Sequence, residues 1–148
     1  MKERTRLAYD VQLSPHFAEH EFACTCRGIF CHGIPLEGID PKLPILLEAI
    51  RDLAGEPIII NSGYRCPDRN LLPKKDGGVD GARTSQHMLG TAADIVIPGM
   101  SPDAVYDFVL TAISQLRVIN PQFAGLGFGL GEYHSFTHVD VRRNRARW

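Results

Sequence analysis

The sequence predicts an α+β fold, a small antiparallel sheet flanked by helices. Three observations carry this reading. Two stretches repeat apolar residues at helical spacing, three short runs are β-branched or alternate like strands, and a glycine-rich segment leads into the last run. The 148 residues fit one domain, because single cores typically span roughly 100–150 residues. Residues 1–12 are expected to form a flexible N-terminal segment of that domain.

Ser14-Pro15 offers an N-cap and a proline at the first helical position, which predicts a short helix through about Phe22. A cysteine-bearing loop follows. From Asp40-Pro41 onward, Leu43, Leu46, Leu47, Ile50 and Leu53 form one apolar helical stripe that Gly55 and Pro57 end. Ile58-Ile59-Ile60 reads as a short buried strand running into Asn61-Ser62-Gly63-Tyr64-Arg65. Residues 71–86 hold Pro73, Gly77, Gly78 and Gly81 and read as a long irregular loop, of the kind that usually serves function. Residues 91–97 form a strand that stops at Pro98-Gly99. Ser101-Pro102 then caps a second helix, with Val105, Phe108, Val109, Ala112, Ile113 and Leu116 inward. Gly125, Gly127, Gly129 and Gly131 make a hairpin-like segment, and residues 136–141 form the closing strand.

Composition excludes several classes of function. With 16 Lys+Arg against 17 Asp+Glu and a net charge of −1, the chain lacks the basic surface that binding to nucleic-acid phosphates requires. No apolar run approaches the ~20 residues of a membrane span, so no membrane insertion is expected. The opening Met1-Lys2-Glu3-Arg4-Thr5-Arg6 is charged and no apolar core of a signal peptide follows it. Synthesis in the cytoplasm, and a monomer, are the expectations.

Cys24, Cys26, Cys31 and Cys66 are expected to be structural. Their even number permits two disulfides, and their clustering permits a thiolate-rich metal site completed by Cys66 or His32; buried free thiols are the third alternative. His16 and His20 read as solvent-facing. Arg142, Arg143, Arg145 and Arg147 read as a solvated tail. Trp148 either packs back on the domain or contacts glycan.

The sharpest constellation is Ser85-Gln86-His87-Met88-Leu89-Gly90-Thr91-Ala92-Ala93-Asp94, joined later by His138-Val139-Asp140. Imidazole nitrogens and a carboxylate are common zinc ligands, and His87, Asp94 and His138 supply three, leaving a fourth position for water. Asp94 shares a strand face with Ala92 and Val96, an apolar setting in which a carboxylate needs a partner. Gly90 permits the turn that brings His87 back toward Asp94. From spacing alone, a hydrogen-bonded His–Asp pair on a sheet remains the alternative.

The pattern Ser-x-His-x-x-Gly-x-Ala-x-Asp, the Ser62-Gly63-Tyr64-Arg65 element and the closing His138-Val139-Asp140 resemble the zinc D-Ala-D-Ala carboxypeptidase and peptidoglycan endopeptidase family. That family shares its fold with the signalling domain of hedgehog proteins. The opening Leu13-Ser14-x-x-Phe17 with Glu21-Phe22 and the cysteine cluster resembles short phage- and prophage-type members. The resemblance implies a hedgehog/DD-peptidase-like fold, Zn2+ as cofactor with His87, Asp94 and His138 as ligands, and Arg65 as the cation near the scissile carbonyl. Ser85 and Gln86 become candidate substrate contacts. Peptidoglycan peptides become the substrate, reached after release from the cell or as part of a virion. Many relatives carry an acidic base three residues before the second histidine ligand; here that position is Ser135. Asp140 is the expected base, or else a carboxylate that orients His138; His134 and Glu132 are the alternatives. The implied activity is cleavage of a stem or cross-link peptide bond. D,D-carboxypeptidase or dipeptidase action on free peptides is the first rival, and a zinc-stabilised wall-binding or tail-structural module the second.

Overall fold

A computed structural model describes residues 10–148; the expected flexible segment and the charged opening thus lie largely outside the described residues. In chain order the elements are β1 (Gln12–Ser14), β2 (Phe17–Ala18), α1 (Lys42–Ala54), β3 (Ile59–Ser62), α2 (Pro67–Leu71), β4 (Ala92–Val96), α3 (Pro102–Ile119), β5 (Gly129–Glu132), β6 (Thr137–Asp140) and β7 (Ala146–Arg147), with short 3-10 turns between them. The architecture is α+β, as expected.

The predicted helix from Ser14 does not form. β1 and β2 pair as a small antiparallel hairpin, and only Glu19–Phe22 makes a 3-10 turn. The reason is a tertiary partner: the Ser14 hydroxyl donates to Glu48 on α1 at 2.6 Å instead of capping its own chain. The His16 amide donates to the same carboxylate at 2.7 Å, and its ring bonds the other oxygen. His20 pairs with Asp10. Both histidines are thus partly exposed and tied to carboxylates.

The two long helices follow the periodicity. Leu43, Leu46, Leu47 and Ile50 of α1 are buried, and Gly55 closes the helix in the left-handed region at φ 71°. The Ser101 hydroxyl accepts the Ala104 N–H at the start of α3, whose Val105, Val109, Ala112, Ile113 and Leu116 are buried. These residues join Ala93, Ile95, Ile97, Leu130, Val139 and Val141 in one apolar cluster.

The main sheet has strand order β3-β4-β6-β5-β7. Its pairs are antiparallel except β5–β7, which is parallel and departs from the all-antiparallel expectation. β3 is an edge strand rather than a buried one: Ile58 is buried, but Ile59 is 49% exposed. Because strand residues alternate between faces, putting Ile95 and Val139 into the core puts Asp94, His138 and Asp140 on the opposite face. Register completes the arrangement. Asp94 lies opposite His138, which lies opposite Gly131, and Ala92 lies opposite Asp140, which lies opposite Gly129.

The glycines of β5 are small for a reason the pattern did not reveal. A Cβ on Gly129 would sit 2.1 Å from the Asp140 carboxylate, and one on Gly131 would sit 2.4 Å from the Trp148 indole. The row of glycines is a recess that seats both side chains.

Residues 71–86 are irregular, as read, yet firmly tied. The short helix α2, with Pro67 in its first turn, precedes them and was not anticipated. Buried Asn70 donates to the Ala82 carbonyl at 2.7 Å, and Val79 and Asp80 amides bond back to Arg69 and Leu72. The expected solvated tail is corrected for two of its four arginines, while Arg143 and Arg145 are exposed. Arg142 forms an ion pair with Asp140, and Arg147 donates to the carbonyls of Phe128 and Ala146. No helix among the described residues is long and apolar enough to cross a membrane.

Candidate metal centre

His87 arrives on a 3-10 turn, Gln86–Leu89, capped by the Ser85 hydroxyl, which accepts the His87 N–H at 3.2 Å. Gly90 ends that turn at φ 73°, as its position suggested. Asp94 comes from the middle of β4 and His138 from the adjacent β6. Their donor atoms all fall within 4.8 Å of one another. His87 Nε2 and His138 Nδ1 each lie 3.1 Å from the same oxygen, Asp94 Oδ1.

The outer nitrogens decide what this convergence means. His87 Nδ1 is 2.6 Å from the Gly63 carbonyl and His138 Nε2 is 2.7 Å from Asp140 Oδ2. A carbonyl and an ionised carboxylate only accept, so both outer nitrogens must donate. The inner nitrogens of the neutral rings are then bare lone pairs aimed at a carboxylate oxygen, an arrangement that calls for a cation. Tetrahedral Zn2+ with bonds of about 2.0–2.2 Å separates its ligand atoms by about 3.3–3.5 Å, close to the spacing here. The donor set therefore fits zinc.

With protons on the inner nitrogens instead of a cation, the same rings become donors to Asp94. Burial would raise the Asp94 pKa, but hydrogen bonds from His138 and His87 outweigh it and hold the carboxyl down to about 2. Burial would lower the His138 pKa, but Asp140 and Asp94 outweigh it and push it up.

Asp140 is fully buried. Its Oδ1 accepts the Arg142 amide at 3.1 Å and Nε at 2.8 Å; its Oδ2 accepts Arg142 Nη2 at 2.6 Å as well as the His138 ring. Burial would raise its pKa, yet Arg142 and His138 hold it to about 2. A carboxylate so occupied has no lone pair facing substrate, so the expectation of Asp140 as base gives way to its other reading, an orienter of His138. The alternative bases are displaced too. Glu132 and His134 are exposed and line a neighbouring depression with Ser101, Pro102 and Asp103, across Tyr133 from the three donors.

A cavity of about 450 Å³ opens over the three donors. Arg65, Ser85 and Gln86 line it, as do Tyr133, Phe136 and Trp148. The backbone holds Arg65 there, its N–H donating to the His87 carbonyl at 3.0 Å. Its Nη1 makes one long contact to Ser62 at 3.5 Å, and its buried Nε has no hydrogen-bond partner. Burial lowers its pKa, with Asp94 pulling the other way. Ser85 and Gln86 also have internal work: Ser85 caps the turn, and the Gln86 side chain accepts the Thr91 hydroxyl at 2.9 Å.

The aromatic wall escaped the sequence reading. Tyr133 and Phe136 stack with centroids 4.4 Å apart, and Trp148 donates its indole N–H to the Tyr133 hydroxyl at 2.7 Å. Trp148 also packs against the His138 ring at 5.0 Å, under the Arg142 guanidinium. Packing back on the domain is therefore the alternative observed for Trp148. Only the proximity of Tyr133 and Phe136 to His138 in sequence could have signalled this wall.

The Peptidase M15 family matches residues 15–140. The chain belongs to this family, that of the zinc D-Ala-D-Ala carboxypeptidases, and is accordingly a peptidase of metal-dependent type. No curated protein and no solved structure gives a significant match.

Proposed function

We propose that this protein is a zinc-dependent peptidase that cleaves a peptide bond in the peptidoglycan stem or cross-link, acting as a single endolysin-like catalytic unit. The observation that supports this best is the convergence of two imidazole nitrogens and one carboxylate beneath a cavity that the Arg65 guanidinium also lines. Bound Zn2+ supplies a polarised carbonyl and a water whose pKa falls to about 7. Gly63 and Asp140 hold the two imidazoles in the tautomers that present lone pairs. Arg65 offers its guanidinium, at the cavity lining, to an anion: the oxyanion that develops during amide hydrolysis, or the carboxylate that stem peptides carry. The Tyr133 hydroxyl accepts from Trp148, which leaves its own proton to donate to substrate. Ser85 and Gln86 shape the rim on the opposite side.

The test is mass spectrometry of fragments released from defined cross-linked muropeptides by the zinc-loaded protein, after exhaustive chelation, and after zinc is restored. Cleavage that disappears and returns with the metal is expected. Cleavage that survives with no measurable zinc overturns the reading. One observation favours a second reading, a wall-binding module with little turnover: among the described residues, Asp94 is the only acidic side chain lining the cavity. Full zinc occupancy with tight peptide binding and no fragments would establish it.

A further inference from the structure

A second group of metal-competent side chains lies behind the strand that delivers Arg65. Cys24, Cys26 and Cys31 sit on the loop between β2 and α1, and Cys66 is the residue before α2. All four sulfurs lie within 4.8 Å of one another. Cys24 and Cys66 are 3.7 Å apart and Cys26 and Cys31 3.6 Å apart, with no disulfide between them. Three of the cysteines are buried, and Cys31 is half-buried. His32, the other donor the sequence offered, is exposed and outside the cluster.

The spacing is informative. Four thiolates around a tetrahedral Zn2+ with bonds of ~2.3 Å stand about 3.8 Å apart along each edge, the separation of both close pairs here. Backbone donors are aimed at two of the sulfurs: the Cys66 N–H at Cys24 Sγ, 3.4 Å, and the Gly33 N–H at Cys31 Sγ, 3.3 Å. Such donors favour the charged thiolate over the thiol. The loop also needs a fastening. Arg27, Gly28 and Gly33 all have positive φ, and the segment contains no helix or strand.

We propose that Cys24, Cys26, Cys31 and Cys66 form a second, closed tetrathiolate zinc site that fastens this loop to the Arg65–Cys66 junction. Binding releases the thiol protons to solvent, leaves four thiolate ligands and no open position, and so supplies structure rather than catalysis. The site is independent of the hydrolase reading, since it uses none of the cavity's donors. Its effect on the cavity is indirect: Arg65 is the neighbour of Cys66, and the adjacent Tyr64 N–H bonds the Phe22 carbonyl at 2.7 Å, just before the loop begins.

The experiment is elemental analysis of the full chain purified without chelator, alongside two double variants. The native protein is expected to carry two zinc per chain. Cys26→Ser/Cys31→Ser should carry one and melt on the order of 10 °C lower. His87→Ala/His138→Ala should also carry one, released by an organomercurial thiol reagent; its cobalt form should show the intense sulfur-to-metal charge-transfer bands of a tetrathiolate. That second variant leaves every cysteine in place, so it reports even if the cysteine variant fails to fold. One zinc in the native protein, lost with His87 and His138, overturns the proposal. So does iron at the second site, or an intact mass four hydrogens lower that reveals two disulfides.

Discussion

Two residues separate orientation from chemistry. In Asp140→Asn the amide oxygen can still accept from His138, but the charge is lost. If Asp140 orients the ligand, zinc affinity should fall roughly 10–100-fold, while kcat at saturating zinc stays near wild type. A lost base would produce the reverse pattern, affinity kept and kcat reduced. Competition titration against a zinc indicator, with kinetics on the loaded protein, distinguishes the two. Arg65→Ala removes a donor that develops its full value only as charge builds on the substrate, so a loss of about 2.7–4 kcal/mol in transition-state stabilisation is expected. Unchanged kcat/KM would remove Arg65 from the chemistry. The His87, Asp94 and His138 convergence was legible through the family pattern that contains them, since their spacing alone fits a hydrogen-bonded pair equally well. The occupation of Asp140 by Arg142 was not, because a run of arginines near a charged strand looks the same whether solvated or paired.

At the scale of elements, β5 depends on absent side chains. Gly129→Ala would place a methyl against the Asp140 carboxylate, so zinc affinity should drop about as far as in Asp140→Asn. Gly125→Ala, where a Cβ meets nothing within 4 Å, is the control and should bind zinc normally. The β1–β2 hairpin offers a second case. Burial would raise the Glu48 pKa, but hydrogen bonds from Ser14 and His16 outweigh it and hold the carboxyl low. A depressed folded pKa contributes stability that is present above the unfolded value of about 4.3 and is lost as pH falls through the folded one. Glu48→Gln should therefore unfold about 1 kcal/mol more easily at neutral pH, with the gap to wild type closing below about pH 4. Urea titrations at several pH values would show this. The same contact explains why the Ser14 signal misled: a local capping pattern cannot reveal a tertiary acceptor on α1.

For the whole molecule, the two long helices, the strands β4 and β6 and the face these strands expose follow from periodicity, since each element buries one apolar side. What escaped was held by backbone closeness rather than by side-chain pattern: α2, the parallel β7, and the aromatic wall that the turn between β5 and β6 forms with Trp148. Metal linkage tests the integrity of this assembly. With free zinc at 100 times Kd, binding to the His87 site should add about 2.7 kcal/mol, a rise of roughly 5–10 °C in Tm; His87→Ala should lose that increment. A Tm indifferent to zinc in the wild type would count against a preformed site.

The recess under β5 also limits how this surface can diversify. Where a strand's inward positions are already filled by a neighbouring carboxylate and an indole, new side chains cannot be accepted without dismantling the centre. Changes in peptide preference must therefore accumulate elsewhere on the lining, at Ala82 and Thr84, whose side chains are exposed between the anchored ends of their loop.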